Sequence, residues 1–312
     1  MGLTHFPHGV SSFGVPQIGA GPYMTTGNVF FVDSGSTTGA DSTAHGKSPD
    51  RPFLTLDFAI GQCTANNGDT IFVMPGHAES VSAAAGIVFD VAGITVIGIG
   101  HGAARPTFTF DTANTADIDV TAANVTIRNC LFVANFLTIA QCIDLDATDF
   151  WLDQCEFRDT SASLNFVDVI IVDDTANACD GLKITGCIVR CIGTTNDGFV
   201  NFLADCDRFI MVGNDIAMLV STTEPILEVT GFSLTNCVIT HNFFRRAFAS
   251  GAGAIDSDQT DNSGIVAYNL VAHADTDAAV PIDISGAMTF ENYCLGVTDF
   301  SGLLLPAVDN DA

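Results

Sequence analysis

Between residues 125 and 294 the chain repeats one eight-residue template seven times. Two apolar residues alternate with variable ones, a pair of small or polar residues follows, and the last position is apolar again. The copies are residues 125–132, 150–157, 182–189, 209–216, 237–244, 264–271 and 287–294, with a looser copy at 94–99. The sixth template position is Cys130, Cys155, Cys187, Asn214, Asn242, Asn269 and Asn292, at spacings of 25, 32, 27, 28, 27 and 23 residues. A period near 27 residues, made of short strands and turn residues with no helix between them, predicts an all-β chain coiled as a right-handed parallel β-helix. Successive coils of such a solenoid stack about 4.8 Å apart, so equivalent side chains form columns. An interior Asn at the turn can bond both to its own coil and to the Asn of the next, which predicts a ladder through Asn214, Asn242, Asn269 and Asn292. Cys130, Cys155 and Cys187 continue the same column as small buried packing residues. A disulfide between column neighbours is geometrically allowed, but nothing points to an oxidising compartment, and none is expected.

The rest of the chain is organised around this repeat. Residues 1–28 are rich in Gly, Pro, Ser and Thr without periodicity and read as an extended arm, with Phe6, Phe13 and Tyr23 spaced too irregularly for a helix face. A strand at 29–32 and a Gly/Ser/Asp loop at 33–50 lead to residues 52–65, where Phe53, Leu56, Phe58, Ala59, Ile60 and Cys63 recur at helical spacing behind Pro52. One amphipathic helix is expected there, capping the open end of the coil. Coils are expected over about 69–295, and 296–312, with Leu303-Leu304-Leu305-Pro306, as the cap of the other end. The expected division is an arm at 1–28 and one β-helix domain at 29–312.

Composition narrows the function. The chain has 312 residues, 36 acidic against 10 basic, for a net charge of −26, yet 47% are hydrophobic and 24 are Phe. Disorder is excluded, because the apolar content builds a large core. The negative field argues against nucleic acid, anionic lipid and polyuronate partners, since ten basic residues leave little to gather locally. No apolar run approaches membrane-spanning length, and neither a membrane protein nor a secretory precursor is expected. The ten cysteines form no CxxC pair, so no thiolate metal site is expected.

Phe30-Phe31-Val32-Asp33, Gly46-Lys47-Ser48-Pro49, Arg51-Pro52-Phe53-Leu54-Thr55-Leu56 and Gly68-Asp69-Thr70-Ile71-Phe72-Val73-Met74-Pro75-Gly76 resemble the opening of pectate-lyase-like β-helix proteins. That fold hosts enzymes and inert virion parts alike. The stretches Gly2–Pro16, Cys155–Thr160 and Leu303–Ala307 resemble β-helix proteins that tailed bacteriophages encode near their major capsid gene. The resemblance implies a virion structural protein on the head exterior, made in the host cytoplasm. The leading expectation is a decoration protein that is not an enzyme and takes no cofactor. It would dock on the major capsid protein through the arm, with Phe6, Pro7, Phe13, Pro16 and Tyr23 as contacts, and by analogy with other β-helix virion proteins it would be a homotrimer.

The runner-up is a tail-spike-like protein that binds or depolymerises a host surface glycan. A lyase needs basic residues along its groove; Arg128 shares its outward position with Asp153, Thr185 and Val212, and Lys183 shares its own with Thr126, Trp151 and Ile210, so no basic stripe is expected. A hydrolase needs paired carboxylates. The richest run is Asp144, Asp146, Asp149, Asp153, Glu156 and Asp159, with Asp173-Asp174 a coil later, and it reads as a solvated face. Asp33 and Asp41 in the Gly/Ser loop are a weak Ca²⁺ candidate, and no metal site is expected.

Overall fold

The computed structural model describes residues 10–12, 15–17, 25, 27–218, 225–246, 253–273, 281–295 and 302–304. The chain winds as a right-handed parallel β-solenoid of about eight turns, each turn giving one short strand to each of three sheets. Sheet 1 runs in chain order from Val29–Val32 to Met288–Phe290, sheet 2 from Ala78–Val81 to Asn292–Leu295, and sheet 3 from Ile87–Phe89 to Ile282–Ile284. Pairing between the strands of these three sheets is parallel up to that point, and Leu137 and Leu164 form an isolated antiparallel bridge beside them. At the far edge of sheet 2, Gly302–Leu304 lies antiparallel to Asn292–Leu295 and covers that edge.

The template maps onto the corner between sheets 1 and 2. Its first residues form the sheet 1 strand, such as Thr126–Arg128, which pairs with Thr95–Gly98 on one side and Trp151–Asp153 on the other. The fifth position then turns the chain with a left-handed residue in every copy: Asn129, Gln154, Gly186, Gly213, His241, Tyr268 and Glu291 all have φ between 49° and 70°. A single left-handed residue redirects a strand without a loop, which is why only two residues separate the sheets here. The sixth position points inward at once. Cys130 and Cys155 are fully buried and Asn214, Asn242, Asn269 and Asn292 nearly so.

Each Asn Oδ1 accepts the backbone N–H of the sixth position one coil earlier. Cys187 N donates to Asn214 at 2.8 Å, and Asn214, Asn242 and Asn269 each donate to the next Asn at 3.0 Å. Each Nδ2 donates back to a sheet 1 carbonyl, Ile184, Met211, Ile239 or Val266. The thiols end in carbonyl contacts of their own, and all ten cysteines are free. Burial pushes the Cys155 thiol up to about 12. The inner columns of sheet 2 include an aromatic stack, with Phe108, Phe132 and Phe157 at 5.7 and 5.1 Å.

The capping helix is shorter than its periodicity suggests. Only Leu56–Ile60 is helical, with Leu56, Ala59 and Ile60 buried against the first coil. Upstream, Phe53 is drawn into the first coil as an extended residue beside Val32, its backbone exchanging bonds with Phe31 and Asp33. Downstream, Gly61 ends the helix and Asp69 captures the Thr64 N–H at 2.7 Å. The helix is tied down by a buried relay: Ser34 N donates to His77 Nδ1, and His77 Nε2 donates to Glu79, which also accepts the Leu56 N–H. Of the arm, Val10–Ser12 and Val15–Gln17 form a small antiparallel pair that includes Pro16. Phe6, Pro7, Phe13 and Tyr23 lie outside the described residues, as does most of the expected C-terminal cap.

Two outcomes test this account of the corner. Asn242→Ala strands the Asn214 and Met211 partners inside the coil and is expected to cost about 2–4 kcal/mol in chemical denaturation. Gln154→Gly relieves a left-handed backbone at an exposed corner and is expected to raise stability by about 0.5–1 kcal/mol in the same assay.

Candidate functional site

The outer face of sheet 3 collects carboxylates. One outward column runs, coil by coil, through Val88, Asp119, Asp144, Ile171, Asn201, Glu228, Asp256 and Asp283. A second position, three residues earlier on each strand, is occupied by Gln141, Asp168 and Gly198. The strands Ile139–Leu145 and Phe166–Val172 have seven residues each, and both carry an irregularity: Cys142 with Ile143, and Val169 with Ile170, are buried in succession. This extra inward residue offsets the two outward positions. It leaves Asp168 only 5% exposed while Asp197 and Glu228 around it are half-buried.

Stacking at strand spacing raises the proton affinity of these groups, because burial and like charges both penalise ionisation. Burial, then Asp117 and Asp144, push Asp119 up to about 6, with Asp117 sharing a hydrogen bond with it. Asp144 is raised by burial and by Asp173 and Asp117. Asp168 is pushed up to about 7 by burial, then by Asp197 and Glu228, although Asn201 and the Gly198 N–H pull the other way. Its Oδ1 is buried and finds no hydrogen-bond partner. The arrangement therefore offers a carboxylic acid that keeps its proton near neutral pH, beside other carboxylates.

The acids singled out by sequence do not gather into one site. Asp144, Asp146 and Asp173 belong to the sheet 3 side, Asp153 to sheet 1, and Glu156 and Asp159 to sheet 2. Asp159 is a buried tie that accepts bonds from the Phe166, Ile192 and Gly193 N–H groups and from Asn196. Asp41 is likewise occupied, accepting from Leu54 N, Thr55 N and the Thr55 hydroxyl, and Asp33 accepts from Gly35 N. Among the described residues no three His, Cys, Asp or Glu side chains are grouped to hold a metal ion.

Sequence reading missed Asp119, Asp168 and Glu228. The signal was present as a second, shorter repeat, an acid between apolar residues at Ile118-Asp-Val120, Ile143-Asp-Leu145, Leu227-Glu-Val229 and Ile282-Asp-Ile284. It also missed a basic column. Arg158, Arg190 and Arg245 share one outward position of sheet 2, so the expectation that no basic stripe builds up is corrected. Arg128 and Lys183 stand on sheet 1, whereas these arginines gather one sheet further round the coil.

No protein-family model and no curated protein matches the chain. The resemblance to phage head proteins therefore rests on the quoted residues alone. Among solved structures, a rhamnogalacturonan lyase is similar with a TM-score of 0.45 and 13% identity, over 89% of this chain and 87% of that one. A GH136 lacto-N-biosidase from Eubacterium ramulus is similar with a TM-score of 0.42 and 10% identity, over 86% of this chain and 67% of that one. Both are named as enzymes, against the expectation that this chain is not one. The likeness is one of fold, and neither reaction nor substrate follows from it.

The protonated acid has a consequence for stability. Asp168 ionises near 3.8 in the unfolded chain and near 7 in the fold, so between those values the folded state holds the extra proton. Its contribution falls as pH rises through that window and levels off above it. Thermal melts are expected to show Asp168→Asn losing less stability than wild type between pH 4 and pH 7.

Proposed function

We propose that the chain is a polysaccharide-depolymerising β-helix that hydrolyses a glycosidic bond on the outer face of sheet 3. The observation that carries this reading is Asp168, whose carboxyl is pushed up to about 7 beside Asp197 and Glu228 and whose Oδ1 has no partner within the protein. Hydrolysis needs one carboxylic acid to protonate the leaving oxygen and one carboxylate to act on the other side of the sugar. Environments that push two carboxyls apart assign those roles. In this reading Asp168 is the general acid that protonates the glycosidic oxygen. Asp197, the stronger of its two charged neighbours, is the carboxylate that attacks the anomeric carbon or activates water, and Glu228 lines the same site from the next coil.

The neighbouring carboxyls fit a binding surface for neutral sugar hydroxyls. Asn201, Asp256 and Asp283 continue the column toward the C-terminal end, and Asp144 and Asp119 continue it toward the N-terminal end. A sugar chain laid along the solenoid axis meets one outward side chain about every 4.8 Å.

The test is reducing-end release from a panel of purified bacterial surface polysaccharides. Activity is expected to fall as pH rises through about 7, where Asp168 loses its proton. Asp168→Asn is expected to lower kcat by about 100-fold or more, with the fold intact by circular dichroism. No release from any polysaccharide, or release that survives Asp168→Asn, sinks the reading.

A further inference from the structure

Sheet 1 changes character along the solenoid. In the middle coils its outward positions are polar or charged: Arg128 pairs with Asp153, and Trp151 Nε1 donates to the Thr185 hydroxyl, which donates in turn to Asp153. Beyond Lys183 the first outward column reads Ile210, Val238, Ile265 and Met288. The second reads Val212, Thr240, Ala267 and Phe290 over the same strands. Four successive strands thus present no charged side chain, in a chain of net charge −26. Ile265 and Met288 are 40% and 64% exposed. Single exposed apolar residues need no explanation, but a contiguous strip marks a contact.

The strip is rigid as well as apolar. Its strands are held in parallel ladders, and at the adjoining corner His241 stacks on Tyr268 at 5.2 Å while Tyr268 meets Phe290 edge-on at 5.6 Å. A face already fixed in this way loses little freedom when it is covered, which lowers the cost of docking. Four strands about 4.8 Å apart, each with its corner residue about 13 Å wide, give an apolar footprint of about 250 Å². That is about a third of what each partner of a stable pair buries, so the strip suits the dry centre of an interface whose rim is polar.

Two observations favour a second copy of this chain as the occupant. The first is charge: an approaching copy brings the same −26, and meeting it through the acid column of sheet 3 would set like charges together, whereas on the strip two copies touch without that repulsion. The second is self-complementarity. Lys183 precedes Ile210 in the first outward column, and Glu291 stands exposed at the corner directly after Met288–Phe290, so a base and an acid sit at opposite ends of the strip. Neither forms an ion pair among the described residues. We propose that two chains pack sheet 1 against sheet 1 about a two-fold axis at Val238, with their coil orders opposed. Ile210 of each copy then lies over Ile265 of the other, and Lys183 lays its stem across the strand of Met288 with its ammonium directed toward Glu291.

The experiment measures the mass of the full chain by sedimentation equilibrium from about 1 to 100 μM. Twice the chain mass is expected within that range. Met288→Glu and Ile265→Glu are each expected to raise the dissociation constant about 30-fold or more, because each leaves an unpaired charge in the dry centre. Leu137→Glu, at a side chain 57% exposed and remote from the strip, is expected to leave it unchanged. Lys183→Glu is expected to weaken the pair and Lys183→Glu/Glu291→Lys to restore it, a rescue that a merely structural effect on the fold would not produce. Circular dichroism and melting temperature check that each variant folds, and Met288→Glu is the fallback because that side chain is the more exposed. The proposal is overturned by a monomer throughout the range, by an oligomer of another mass, by a dimer that the strip variants leave intact, or by a charge swap that does not restore association. A monomeric wild type whose melting temperature falls on Met288→Glu would mean that a segment of the same chain covers the strip, which also overturns it. The pairing leaves the outer face of sheet 3 open on both copies, and a readout of mass is independent of any hydrolysis there.

Discussion

Coil-to-coil register is the constraint from which the rest of this structure follows. It is enforced twice at the corner between sheets 1 and 2, by a left-handed residue that always turns the chain at the same point and by the inward residue after it. Where that inward residue is Asn, its Oδ1 takes the N–H of the coil below and its Nδ2 a carbonyl of sheet 1, so a slip by one residue would bury several unpaired polar groups. The left-handed residues Gln154, His241, Tyr268 and Glu291 carry steric cost at that corner. They are held there by the ladder that follows them.

Once register is locked, surface chemistry becomes one-dimensional. A residue type repeated at one coil position becomes a column, and its members interact at strand spacing whatever their separation in the chain. This is how acids about a coil apart become neighbours on sheet 3 and raise each other's proton affinity, and how arginines 32 and 55 residues apart come to share a position on sheet 2. A net charge of −26 thus describes no single face. It is the sum of an acidic sheet, a sheet with locally surplus positive charge, and acidic turns.

The variable coil lengths show where the solenoid tolerates change. The longest interval, Cys155 to Cys187, contains the turn around residues 160–165, which Asp159 ties from inside to the loop near 192–196 of the next coil. The corner between sheets 1 and 2 keeps its turn; much of the excess is placed outside the ladders, where backbone groups reach solvent or a dedicated side-chain acceptor. The same logic shortens the capping helix, because Phe53 completes the first coil as extended backbone and only the residues between Thr55 and Gly61 remain free to coil.

The sequence by itself determined the solenoid, its period and the inner column from Cys130 to Asn292, because register-bearing positions are local: each is read from its own eight-residue segment. The acid between apolar residues in sheet 3 was equally local but was masked by the many acids at turns, which look the same in a composition. What only the tertiary structure decided was which outward residues share a column. That depends on loop lengths between sheets, which vary from coil to coil and cannot be counted off a fixed period. Hence the Arg158, Arg190 and Arg245 position, and the burial that separates Asp168 from an ordinary surface carboxylate, emerge only when the coils are stacked.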